Sequence, residues 1–160
     1  MWVNTRVNAM KLVKVAFFIF ILGLVATAGA DRLELPFSEA LYERIATDYE
    51  PGATERVREW QELIETNQDK TDPQKLLLTN AFFNNNIRFV ADMVHWQKND
   101  YWATPIEFLA TRGGDCEDFS IAKYFTLRAL GVEQDKLRLM YVKAVELGQA
   151  HMVLIYSESL

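Results

Sequence analysis

The sequence has 160 residues, half of them apolar, enough for one modest domain with a real core. Its formal charge is −5, and the acidity is concentrated after residue 30: residues 31–160 carry 14 bases against 22 acids, or −8. That balance argues against a broad nucleic-acid-binding face, and one cysteine with two histidines falls short of a closed zinc ligand set.

Residues 1–30 have the form of a secretory signal. Arg6, Lys11 and Lys14 precede the apolar run from Val15 to Val25, and Ala28 and Ala30 give the small-x-small pattern of a cleavage site. The rival is a retained anchor, but the run is short of the roughly 20 residues that span a bilayer. Cleavage after Ala30 and export are expected, leaving residues 31–160 as the domain. Its single cysteine then has no internal disulfide partner in an oxidising compartment.

Three helices are expected next. Phe37 to Tyr49 sets Phe37, Leu41, Tyr42 and Ile45 on one face, and Pro51-Gly52 ends it. Ala53 to Asn67 is amphipathic through Val57, Trp60, Leu63 and Ile64. Asp72 as N-cap and Pro73 in the first turn start a third helix, expected to run to about Gln97 as the central packing element. Asn84-Asn85-Asn86 inside it marks either a kink or buried polar contacts. His95, near its end, is expected to be an ordinary surface or last-turn histidine.

Asn99 to Arg112 is expected to be a loop with one short helical turn, capped by Thr104 and started by Pro105; Tyr101 and Trp102 either line a cleft or simply pack. Gly113-Gly114-Asp115-Cys116-Glu117-Asp118-Phe119 follows. The glycines can take backbone conformations closed to other residues, Asp115 is a good N-cap, and Cys116 to Leu130 has helical periodicity. Cys116 therefore falls in a first helical turn, where free N–H groups and the helix dipole favour a thiolate. It is either a nucleophile or a small buried hydrophobe, and the first role also needs a base. Gly131 closes the helix. Leu137–Ala144 and His151–Tyr156 are expected to be paired strands about a turn at Gly148-Gln149, with His151, Val153 and Ile155 on one face. His151 is either an ordinary strand residue or that base.

Trp102-Ala103-Thr104-Pro105, the Gly113–Phe119 stretch, Ile121-Ala122-Lys123-Tyr124, Tyr141-Val142-Lys143-Ala144 and Ala150-His151-Met152-Val153-Leu154 together resemble the bacterial transglutaminase-like cysteine proteinases. The resemblance covers most of residues 31–160. It implies an α+β, papain-like transglutaminase-core fold with N-terminal helices before an antiparallel sheet. It also implies a Cys-His-Asp triad in which Cys116 is the nucleophile and His151 the base. Calcium dependence is implied as well, with Asp115, Glu117 and Asp118 at the positions tied to the metal. For the periplasmic adhesin-releasing members it implies cleavage of the N-terminal retention region of a large surface adhesin between two alanines. An inner-membrane receptor responsive to cyclic-di-GMP then sequesters the protease.

One departure and one physical difficulty stand out. No aspartate follows His151, Glu158 is a poor substitute for the third triad member, and a truncated chain with an incomplete sheet is expected. Within the motif, three carboxylates flank a group that must itself become negative, which raises a thiol pKa, and a helix N-terminus offsets only about half a charge. A bound divalent cation reverses that balance. Two other readings remain open: a different acyl-transfer enzyme on the same core, and a catalytically incomplete fragment that binds without cutting.

Overall fold

A computed structural model describes residues 32–145 and 148–158. The expected signal segment and its cleavage point after Ala30 lie outside the described residues. Among the described residues no helix is long and apolar enough to cross a membrane.

The helical half comes first. Helix α1 (Glu39–Asp48) starts where the Ser38 hydroxyl accepts the Leu41 N–H, and it buries Tyr42 and Ile45. Gly52, at φ +90°, turns the chain into α2 (Ala53–Thr66), which buries Val57, Trp60 and Ile64. Helix α3 (Asp72–Asn86) begins one residue earlier than Asp72-capping predicts. Thr71 is the N-cap, and Thr71 and Gln74 form a reciprocal capping box, a Thr-x-x-Gln signature legible in the sequence.

The long third helix does not continue to Gln97. It ends at Asn86, whose side-chain amide donates back to the Phe82 carbonyl, and Ile87 is extended. The next residues form β1 (Arg88–Phe89) and then the short α4 (Asp92–His95). The apolar residues at 87–94 that extend the helical pattern serve a different purpose. Arg88 and Phe89 pair in parallel with Gly113 and Gly114, which form β2, so the chain after α3 is tied to the loop before the cysteine. Between these two strands lies α5 (Pro105–Thr111), opened by the Thr104–Glu107 capping box that the sequence announces.

Helix α6 (Cys116–Ala129) is the spine of the second half. Asp115 is its N-cap, with Asp118 completing the box, and Gly131 at φ +87° follows its C-terminus. A 3-10 turn (Gln134–Lys136) leads to the antiparallel pair β3 (Leu137–Ala144) and β4 (Gln149–Tyr156), in the register Val142↔His151 and Tyr141↔Met152. The architecture is α+β as expected, with helices followed by an antiparallel sheet of two strands among the described residues.

Two apolar clusters hold these parts. The larger contains Trp60, Phe83, Phe108 and Leu109, with Phe108 edge-on to Phe119 of α6. The buried Trp60 indole donates to Thr126 Oγ1 at 2.8 Å, so α2 and α6 are fixed by a satisfied polar contact as well as by packing. The smaller cluster, Leu127, Leu130, Val132 and Leu137, receives Leu154 and Tyr156 and thereby seats β4 along α6.

Candidate active site

The loop that presents Cys116 is held from four sides. Arg112 takes φ +57°, and its Nε donates to the Asn86 carbonyl at 3.0 Å. Val90 N–H donates to the Gly114 carbonyl at 2.9 Å. Neither Gly113 nor Gly114 has a positive φ, so glycine is not required there for backbone freedom. What requires it is close approach. A Cβ on Gly113 would stand 2.8 Å from the His95 ring, and one on Gly114 would meet the Asp118 carboxylate and the Phe108 ring. The fourth anchor is Asp118, almost fully buried, whose Oδ1 accepts Ala103 N–H at 2.7 Å and Oδ2 accepts Asp115 N–H at 3.2 Å.

His95 is therefore neither on the open surface nor in the chemistry. It is half-buried against Gly113, with Nε2 at 2.9 Å from Thr111 Oγ1, and burial lowers its pKa.

At the start of α6, the Cys116 thiol donates to Glu117 Oε2 at 2.9 Å, and Met152 N–H of β4 donates to Sγ at 3.4 Å. One turn on, Ser120 Oγ donates to the Met152 carbonyl at 3.2 Å. Met152 of β4 is thus bonded to α6 at both its N–H and its carbonyl, and His151 is the residue before it on the same strand. Cys116 and His151 line one cavity of about 870 Å³ between α3, α6 and β4.

The electrostatics at the sulfur oppose ionisation. Burial first, and then the hydrogen bond to the Glu117 carboxylate, push the thiol up to about 11, with the Met152 amide acting in the opposite direction. Burial and the neighbouring Glu117 carboxyl raise Asp115 to about 6, and burial raises Asp118 to about 6.

The acids around the sulfur form a connected set. Asp115 and Glu117 stand with Cys116, and Glu117 also stands with Asp92 and Asp100; Asp118 stands with Asp92 and Asp115. The ligand atoms within each trio lie within 4.8 Å of one another. Asp92 Oδ1 and Asp115 Oδ1 are buried without a hydrogen-bond partner among the described residues. Carboxylate oxygens left orphaned and carboxyls pushed towards their protonated form are what a hard oxygen-seeking cation satisfies, so the donor set fits calcium. Asp92 and Asp100 lie far from Cys116 in the chain, so no local motif links them to it. By local pattern Asp92 falls within the expected third helix and Asp100 in the loop after it. Asp118 carries a second duty, since both its oxygens already hold backbone amides.

Residues 49–159 match the family of bacterial transglutaminase-like cysteine proteinases. The chain belongs to that family. Similar solved structures include Legionella pneumophila LapG, at 38% identity over 77% of this chain and 67% of that one, with a TM-score of 0.65. The same protein in EGTA-treated form matches at 38% identity over 77% and 66%, TM-score 0.65. Its calcium-bound form matches at 38% over 77% and 67%, TM-score 0.64. The chain thus spans about two thirds of the length of these relatives. No curated protein sequence matches. Membership makes the cysteine proteinase assignment plain, and the transglutaminase-like core explains why one helix start, one strand and one acidic loop converge.

Proposed function

We propose that this chain is a calcium-dependent periplasmic cysteine endopeptidase. Its substrate is the N-terminal retention region of a large surface adhesin, cut between two alanines so that biofilm attachment is released. An inner-membrane cyclic-di-GMP receptor restrains it by sequestration. The observation that carries the enzymatic part is the Met152 N–H on Cys116 Sγ, which brings the His151 strand to the nucleophile. The existence of calcium-bound and EGTA-treated forms of a similar structure supports the metal. The motif resemblance supports the adhesin, the receptor and the compartment.

In this mechanism His151 takes the Cys116 proton and the thiolate attacks the scissile carbonyl. His151 then protonates the departing amine, and water releases the acyl group from sulfur. The backbone N–H of Cys116, in the first turn of α6, is a donor available to the oxyanion, and the Met152 N–H stabilises negative charge on sulfur. Calcium supplies, when bound, the positive charge that offsets the carboxylates beside the thiol. Asp92, Asp100, Asp115 and Glu117 would hold it.

Incubating the protein with an adhesin retention region in calcium and in EGTA, and weighing the fragments by mass spectrometry, tests this. One cut between two alanines, present only with calcium and lost in Cys116→Ala, is the expected result. Uncut adhesin in calcium, or a cut that persists in Cys116→Ala, would overturn it.

A further inference from the structure

The cavity that holds Cys116 and His151 is far longer than a nucleophile needs. It follows α6 from Cys116 past Ser120 and Lys123 to Leu127, positions that share one helical face, and is walled opposite by Leu76 and its neighbours on α3 and by Ile87 just past its end. Most of that wall is apolar. Thr79, Asn80, Asn84 and Ser120 are polar members of the lining, and Lys123 is the one that brings a formal charge to it. Its Nζ donates to Asn80 Oδ1 at 2.7 Å and to Asn84 Oδ1 at 2.8 Å, and lies 5.4 Å from the Phe119 ring. Among the described residues no carboxylate pairs with it, in a chain with 22 acids to choose from. Burial lowers its pKa, and no neighbouring acid counters that effect. Two neutral amide oxygens orient the ammonium without neutralising it, which leaves its charge available in a channel of low polarity. Asn84, the first residue of the asparagine run, is one of the two.

We propose that this channel binds the substrate peptide in extended form and that Lys123 selects an aspartate or glutamate about three residues from the scissile bond. The spacing follows from geometry: seven residues of helix separate Lys123 from Cys116 by about 10 Å, and an extended peptide rises about 3.3 Å per residue. Asn80 and Asn84 are positioning residues that hold the ammonium. The inference deepens the endopeptidase reading and rests on it for the position of the scissile bond.

The test is a set of fluorogenic peptides centred on Ala-Ala, with a single glutamate or lysine walked from four residues before to four residues after the bond. The full chain and Lys123→Glu are assayed in calcium. The expected result is a preference of roughly five- to tenfold in kcat/KM for glutamate over lysine at one position about three residues from the bond, inverted in Lys123→Glu. A lysine that only supports the fold would change rates for all peptides alike. A flat scan, or a glutamate preference that survives Lys123→Glu, overturns the proposal. Binding of the same labelled peptides to Cys116→Ala separates this inference from the reading beneath it. If nothing is cut but glutamate peptides bind in a Lys123-dependent way, the channel stands and the endopeptidase falls. If no peptide binds, the channel falls as well.

Discussion

The Cys116 thiol donates its hydrogen to the carboxylate of the very next residue, Glu117, at 2.9 Å. This contact holds the nucleophile in its protonated form, since the thiol is pushed up to about 11 by burial and by that acceptor. Drawing the carboxylate's charge elsewhere would favour the thiolate. Asp92, Asp100 and Asp115 stand with the same residue in carboxylate groups close enough to hold a cation.

Glu117→Gln should lower the thiol pKa in the presence of a chelator, because it removes the adjacent negative charge. A fall of about one unit or more is expected from the loss of a contacting like charge. The value should remain above that of a free cysteine, because burial is the larger cause. Calcium should no longer change it. Iodoacetamide alkylation against pH measures both effects.

Removing the cation should reverse the usual pH trend of stability. Asp115 and Asp118 titrate near 6 in the folded state against roughly 3.9 unfolded, so the folded chain keeps protons the unfolded chain has released. The stability that these groups add is complete below about pH 4 and is lost as the pH rises through about 6. In EGTA, the melting temperature of the wild-type chain relative to Asp115→Asn should therefore fall across that window. With calcium the fall should vanish.

Gly113→Ala should destabilise the loop by about 1–3 kcal/mol, because the added Cβ stands 2.8 Å from the His95 ring. The obstacle is a side chain, so His95→Ala in the same molecule should recover part of the loss. Gly114→Ala should have no such rescue, since its Cβ meets both Phe108 and the buried Asp118 that anchors Ala103. Denaturant melts of the three variants check this.

Ser120→Ala leaves the Met152 carbonyl without its partner on α6. A loss of about 1 kcal/mol is expected, with slower thiol alkylation in calcium because β4 is less firmly seated against Cys116. Unchanged melting and unchanged reactivity would mean that packing of Leu154 and Tyr156 alone seats the strand.

Local signals carried much of this structure. Asp115, the cysteine helix, Gly131 and the strand pair were legible because each is announced by residues adjacent in the chain. The break after Asn86 was not, since Ile87, Val90 and Val94 suit a continuing helix as well as a strand and a second helix, and only the pairing with Gly113 and Gly114 decides between them. The need for glycine at 113 and 114 is not legible for a related reason. It arises from His95, Phe108 and Asp118 in space, which no dihedral preference encodes. Asp92 and Asp100 reach Glu117 only after the turn at Ile87 has formed.

The most direct test of the account is the alkylation rate of Cys116 as a function of pH, in calcium and in EGTA. The account predicts a thiolate forming well below about 8.5 with calcium, and one that forms only towards 11 when the cation is chelated. Superimposable profiles in the two conditions would contradict it, and would mean that the carboxylates beside Cys116 do not govern its reactivity through a bound cation.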